Sequence, residues 1–177
     1  MPQTVARFVG ETWRTLARER ETLTAQREDI LRSQMEVSAI PAPTGAEERR
    51  AEWVTSRLAA LGLHVRRDDA GNVIGRPQGS PAGAPVVLCA HLDTVFPAET
   101  PLDVRAQRDR VSGPGICDNA RGLAVMLAVA GAVQRRADVL AGAVEFVATT
   151  GEEGTGDLRG ARHYLASGER PVALVAL

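Results

Sequence analysis

The sequence predicts an α/β domain whose mostly parallel sheet is flanked by helices. Three observations carry the fold class. The run Pro85-Val86-Val87-Leu88-Cys89 is short and apolar, as buried strands are, and Ala143 to Thr149 is a second run of the same kind. Between them, Asn119 to Arg136 has the length and composition of a helix. Apolar strands alternating with helices build a layered sheet covered by helices.

The elements follow in order. From about Thr4 to Met35, Val5, Phe8, Val9, Trp13, Leu16, Leu23, Ile30, Leu31 and Met35 recur at helical spacing with Arg and Glu opposite. This predicts a long amphipathic helix, or two with a break near Glu21-Thr22, and sets residues 1–36 apart from 37–177. The heptad spacing of Val9, Leu16, Leu23 and Ile30 allows a coiled coil, but so few repeats fit a helix lying on its own core. Ile40-Pro41-Ala42-Pro43-Thr44-Gly45 is a turn. Thr44 or Gly45 then caps a helix from Ala46 to Leu61, which Gly62 ends. Leu63 to Asp68 and Asn72 to Arg76 read as strands joined through Asp69-Ala70-Gly71, and residues 77–84 as an exposed loop. Residues 96–115 are expected to be irregular. A short helix from Asp157 to Ala166 and a strand from Val172 to Leu177 close the chain.

Composition narrows the function classes. The 177 residues, 44% hydrophobic, suit one ordinary domain, and a net charge of -1 provides no field for a polyanion. Nucleic acid and membrane are therefore not expected partners. No apolar run reaches the roughly 18 residues of a bilayer span. Met1 to Thr4 has no charged-then-apolar leader, so a cytoplasmic location is expected. Cys89 and Cys117 are then reduced thiols. All 21 basic residues are Arg, a bias given no functional weight.

In an open α/β sheet, ligands bind where the carboxyl ends of the strands meet. The first apolar strand exits onto His91 and Asp93, and the second onto Glu152 and Glu153. Asp118 heads the helix that starts near Asn119. Imidazole and carboxylate suit zinc, and one carboxylate can bridge two ions. On this reading His91, Asp118 and Glu153 are metal ligands, with Asp118 as the bridge. Asp93 fixes the tautomer of His91, and Glu152 is the base acting on metal-activated water. The glycines around Glu152-Glu153 permit the irregular turn that lets neighbours serve different roles. Each residue alone has a plainer reading: His91 a hydrogen-bonded structural residue, Asp118 a helix cap, Glu152-Glu153 a solvated loop pair. Their meeting at one sheet edge favours the metal reading. His64 and His163 read as surface or packing groups, Cys117 as a small residue near the site, and residues 112–115 as a flexible approach to it.

The segments Ala90 to Pro97, Gly113 to Gly122 and Thr150 to Gly154 resemble the di-zinc metallopeptidase and deacylase family. That family includes peptidase T, carboxypeptidase G, acetylornithine deacetylase and succinyl-diaminopimelate desuccinylase. Ile40 to Gly45 and Asp69 to Val73 look like its amino-terminal region. The resemblance implies hydrolysis of amide bonds in small peptides or N-acyl amino acids by two zinc ions, with cobalt or manganese as substitutes. It also implies a cis peptide at Asp118-Asn119. Family members carry a further acidic ligand, a later His ligand and a lid or dimerisation domain. The chain therefore reads as the amino-terminal part of a longer enzyme, its fold implied to be a zinc-exopeptidase-like catalytic domain, and the 177-residue form is expected to be inactive or impaired. The rival reading is a non-catalytic interaction module that self-associates through an exposed sheet edge. Within enzymes, the runner-up is a related di-zinc aminopeptidase.

Overall fold

The computed structural model describes residues 2–168 and 170–177, and only the backbone of residues 2–6, 8 and 9. The side chains of Val5, Phe8 and Val9, expected on the apolar stripe, thus lie outside the described residues. The amino-terminal segment forms α1 (Pro2–Thr15), α2 (Ala17–Ala25) and α3 (Arg27–Ser38). The expected break at Glu21-Thr22 is not where the helix bends. The bends fall at Leu16 and Gln26, where ψ opens to 13° and 8°. Leu16 N still donates to Thr12 O at 3.0 Å and Gln26 N to Thr22 O at 3.1 Å, so these are bends in a continuing hydrogen-bonded spiral. No residue of α2 is buried, whereas α3 buries Ser33, Gln34, Val37 and Ser38.

Helix α4 (Glu48–Ala60) buries Ala51, Val54 and Leu58, spaced three and four residues apart along one face. It stops at Gly62, whose φ of 87° is the left-handed conformation that ends helices. Strands β1 (Leu63–Arg67) and β2 (Val73–Pro77) pair antiparallel. Their turn closes on Asp68, whose Oδ1 accepts the amides of Ala70 at 3.0 Å and Asn72 at 2.9 Å. Strand β3 (Val86–His91) follows.

The stretch expected to be irregular contains a small hairpin, β4 (Arg105–Gln107) and β5 (Arg110–Ser112), turned at Arg108 with φ 52°. Six largely exposed residues with no apolar alternation leave no periodic signal. Then come α5 (Ala120–Gln134), β6 (Val144–Thr149), α6 (Arg159–Ser167) and β7 (Ala173–Ala176). Helix α6 starts two residues later than predicted because Asp157 and Leu158 both take positive φ, 49° and 58°.

The sheet order is β1-β2-β6-β3-β7. β3 runs parallel to β6 and β7, while β2 is antiparallel to both β6 and β1. Four strands therefore share a direction, and β2 alone opposes them. Helices α4 and α5, backed by α3, cover one face over a core that includes Val54, Leu58, Leu123, Met126 and Phe146. On the other face Tyr164 of α6 packs against Ile74, Val87 and Val147. Among the described residues, no helix is long and apolar enough to cross a membrane. The β3–β6 register pairs His91 with Thr149, so the two strands finish level and release their next residues at one edge. That edge is where the predicted chemistry lies.

Candidate metal centre

His91 ends β3, nearly buried at 8% exposure. Its Nδ1 lies 3.0 Å from the main-chain oxygen of Asp93 and 3.5 Å from the Asp93 carboxylate. With the proton on Nδ1, the lone pair of Nε2 is presented to the outside of the edge, the tautomer a metal needs. There Nε2 meets Asp118 Oδ1 at 2.8 Å. Burial opposes the charged imidazole. Bonds to Asp93 and Asp118 and their negative charges outweigh it, and the pKa of His91 sits above its ordinary value.

Asp93 is fully buried and does more than orient a ring. Its Oδ1 accepts the backbone amide of Glu152 at 2.9 Å, and its Oδ2 that of Glu153 at 3.0 Å. The Thr44 hydroxyl adds a third bond to Oδ2, at 2.8 Å. Burial would raise this carboxyl's pKa. The bonds from His91, the two amides and Thr44 prevail and hold it well below the usual carboxylate range. Thr44, expected as a helix cap, is thus spent on Asp93. Residue 47 occupies the cap position instead, with no side-chain cap bond to the helix.

Asp118 stands outside α5. The helix begins after Asn119, and the Asp118-Asn119 peptide is cis, as the resemblance implies. The plainer reading of Asp118 as a side-chain cap is not what the structure shows: its side chain is 71% exposed and turned to His91. The loop before it is pinned by α3. Gln34 Nε2 donates to Ile116 O at 2.7 Å, and Ser38 Oγ to Pro114 O at 2.8 Å. Gly122 lets the Asn119 side chain lie on the first turn of α5, since a Cβ there would fall 1.8 Å from Asn119 Oδ1.

The structure brings His91, Asp118 and Glu153 together, with one ligand atom from each within 4.8 Å of the others. Donors about 2.0–2.2 Å from a zinc ion lie at most about 4.4 Å apart, so small rotations of the accessible Asp118 and Glu153 side chains would close a shell. The electrostatics fit a cation too. Burial, then the charges of Asp118 and Glu152, push the Glu153 pKa up, which marks a crowd of carboxylates short of positive charge. Glu152 contributes its charge to that crowd but is not one of the three converging ligands. His64 and His163 stand outside the group, and Cys117 is exposed.

Sequence reasoning missed two supports. Arg50, 1% exposed, donates to Leu92 O at 2.8 Å and Ile40 O at 2.7 Å, gripping the peptide between His91 and Asp93. Burial lowers its pKa to about 10, with the charge of Asp93 working the other way. Glu47, 5% exposed, accepts the amides of Gly45 at 2.8 Å and Gly151 at 3.0 Å and lies 3.5 Å from Arg159 Nη2. In the sequence it is only a carboxylate in the first turn of the helix expected from Ala46, where acidic residues are generally favoured, and its principal partner is 104 residues away.

A mixed sheet flanked by helices, with His91 at the end of β3, Glu153 just past β6 and Asp118 ahead of α5 meeting at one edge, has the architecture of a zinc-exopeptidase-like domain. The model of peptidase family M28 matches residues 72–176, more than half of the chain, and the chain belongs to that family. It is 36% identical over 92 residues to a candidate LysW-lysine/LysW-ornithine hydrolase of Pyrococcus abyssi, covering 52% of this chain and 26% of that one. It is 51% identical over 53 residues to the N-carbamoyl-L-amino acid amidohydrolase of Geobacillus stearothermophilus, covering 29% and 13%. The crystal structure of aminoacylhistidine dipeptidase from Vibrio alginolyticus superimposes with a TM-score of 0.63 at 25% identity, over 83% of this chain and 32% of that one. The chain thus spans about a quarter or less of the two curated relatives.

Proposed function

We propose that the chain carries the metal-binding half-site of a zinc-dependent hydrolase that cleaves amide bonds in small peptides or N-acyl amino acids. The observation supporting this is the convergence of His91, Asp118 and Glu153 at the sheet edge. His91 Nε2, Asp118 and Glu153 would hold zinc, with cobalt or manganese as substitutes, and Asp118, with two carboxylate oxygens, would be the residue able to serve a second ion. Bound zinc polarises a scissile carbonyl and acidifies water. Asp93 keeps the proton of His91 on Nδ1, so that Nε2 stays a donor to the cation. Glu152, on the same turn as Glu153, takes a proton at its carboxylate and returns it to the leaving amine. The relatives named for carbamoyl and dipeptide substrates support a small substrate with an amide-type bond.

The test is amine release from dipeptides and N-acetyl amino acids by the zinc-loaded chain, alongside Glu152→Gln. We expect slow hydrolysis, because three protein donors fill only part of two four-coordinate shells. Chelation and Glu152→Gln should both abolish it. Release that survives chelation, or equal rates in the wild type and Glu152→Gln, contradicts the reading.

A further inference from the structure

We infer that Glu47, far from the metal ligands in sequence, is a positioning residue for the Gly151-Glu152-Glu153 turn, and that this turn is set by two buried carboxylates acting on three successive amides. Gly151 N donates to Glu47 Oε1 at 3.0 Å, Glu152 N to Asp93 Oδ1 at 2.9 Å and Glu153 N to Asp93 Oδ2 at 3.0 Å. Three consecutive N–H groups pointing inward require a backbone that no regular strand supplies, since strand amides alternate in direction. Gly151 takes φ 58°, which a glycine adopts without penalty. With the amides facing in, the Glu153 side chain is left to meet His91 and Asp118.

Glu47 is itself fixed. The same Oε1 accepts Gly45 N at 2.8 Å, which ties it to the turn that also supplies Thr44 to Asp93. Arg159 lies across Gly151, where a Cβ would come within 3.0 Å of its Nε, and its guanidinium faces Glu47 at 3.5 Å. Arg159 N donates to Gly151 O at 3.0 Å, so the turn's first peptide is held at both ends. Residues 44–47 therefore form a clamp whose two carboxylate contacts, one direct and one through Asp93, decide where Glu153 points. Asp93 fixes the imidazole and the turn together. Glu47 contacts Gly45, Gly151 and Arg159 but neither His91 nor Asp93, and so its removal should disturb the Glu153 ligand more than His91.

This proposal rests on the metal-centre reading, and its test has one arm that does not. Amide hydrogen exchange is measured by NMR in the metal-free wild type, Glu47→Gln, Glu47→Asp and Glu47→Ala. Gln keeps an acceptor of the same reach, whereas Asp is one methylene too short to serve Gly45 and Gly151 together. Exchange at Gly151 should quicken about tenfold or more in the Asp and Ala variants and stay within about threefold in Gln. Leu88 and Cys89 in β3 should not change. In the second arm, cobalt affinity should fall about tenfold in Asp and Ala and recover in Gln. Should Ala fail to fold, the Asp variant decides. Wild-type exchange at Gly151 in a folded Asp or Ala variant overturns the proposal, as does a Gln variant no better than Ala. If the wild type takes up no cobalt, the metal reading fails while the exchange arm still decides what Glu47 does.

Discussion

The two sides of the candidate centre are built differently. On one side, Asp93 is fully buried and accepts bonds from Glu152 N, Glu153 N and Thr44, while Arg50 grips the peptide beside it. On the other, Asp118 has a 71% exposed side chain whose contact is His91, on a loop held from α3 through backbone carbonyls. The braced side fixes a geometry whatever binds there, and stability is spent on it. The open side can move a carboxylate by the small distance that separates the present cluster from a closed shell. Mutations on the two sides should accordingly show up in different measurements.

The largest effect is expected from Asp93→Ala, which strips the acceptor from two partly buried amides and a hydroxyl. It should cost about 3–5 kcal/mol in urea unfolding. A loss under about 1 kcal/mol would place the bracing elsewhere. Thr44→Val removes one bond to the same carboxylate and should cost roughly 1.5 kcal/mol at pH 7. The pKa of Asp93 is depressed in the folded chain, so this stabilisation is complete above the unfolded value of about 3.9 and disappears as pH falls through the folded one. Wild type and Thr44→Val should therefore converge in stability at the acid end. Curves that stay parallel would show that the hydroxyl does not act through ionised Asp93. The smallest change is expected from Ser38→Ala, which frees Pro114 O and should cost about 1 kcal/mol while weakening metal binding a few-fold through the Asp118 loop.

The same contrast explains what the sequence could tell. That His91, Asp118 and Glu153 would meet at one edge was legible because each sits where an apolar run or a Gly-bordered turn ends, and sheet topology brings such ends together. The strands β1 to β3 and β6 and the helices α4 to α6 were legible too, since burial writes a period into their residues, whereas the largely exposed β4–β5 hairpin left none. The braces were not. Glu47, Thr44 and Arg50 act on partners 42 to 104 residues distant, and locally they look like an ordinary helix start. The bends at Leu16 and Gln26 also escaped, because both residues are ordinary helix formers and only ψ records the turn.

The most direct measurement is a cobalt titration of the chain, followed by visible absorption, with Asp118→Asn, Glu153→Gln and His91→Ala in parallel. Saturable uptake is expected in the wild type. Each variant should bind at least about tenfold more weakly, and Asp118→Asn should stay within about 0.5 kcal/mol of wild-type stability because its side chain is exposed. No uptake by the wild type, or wild-type affinity in all three variants, would contradict the account.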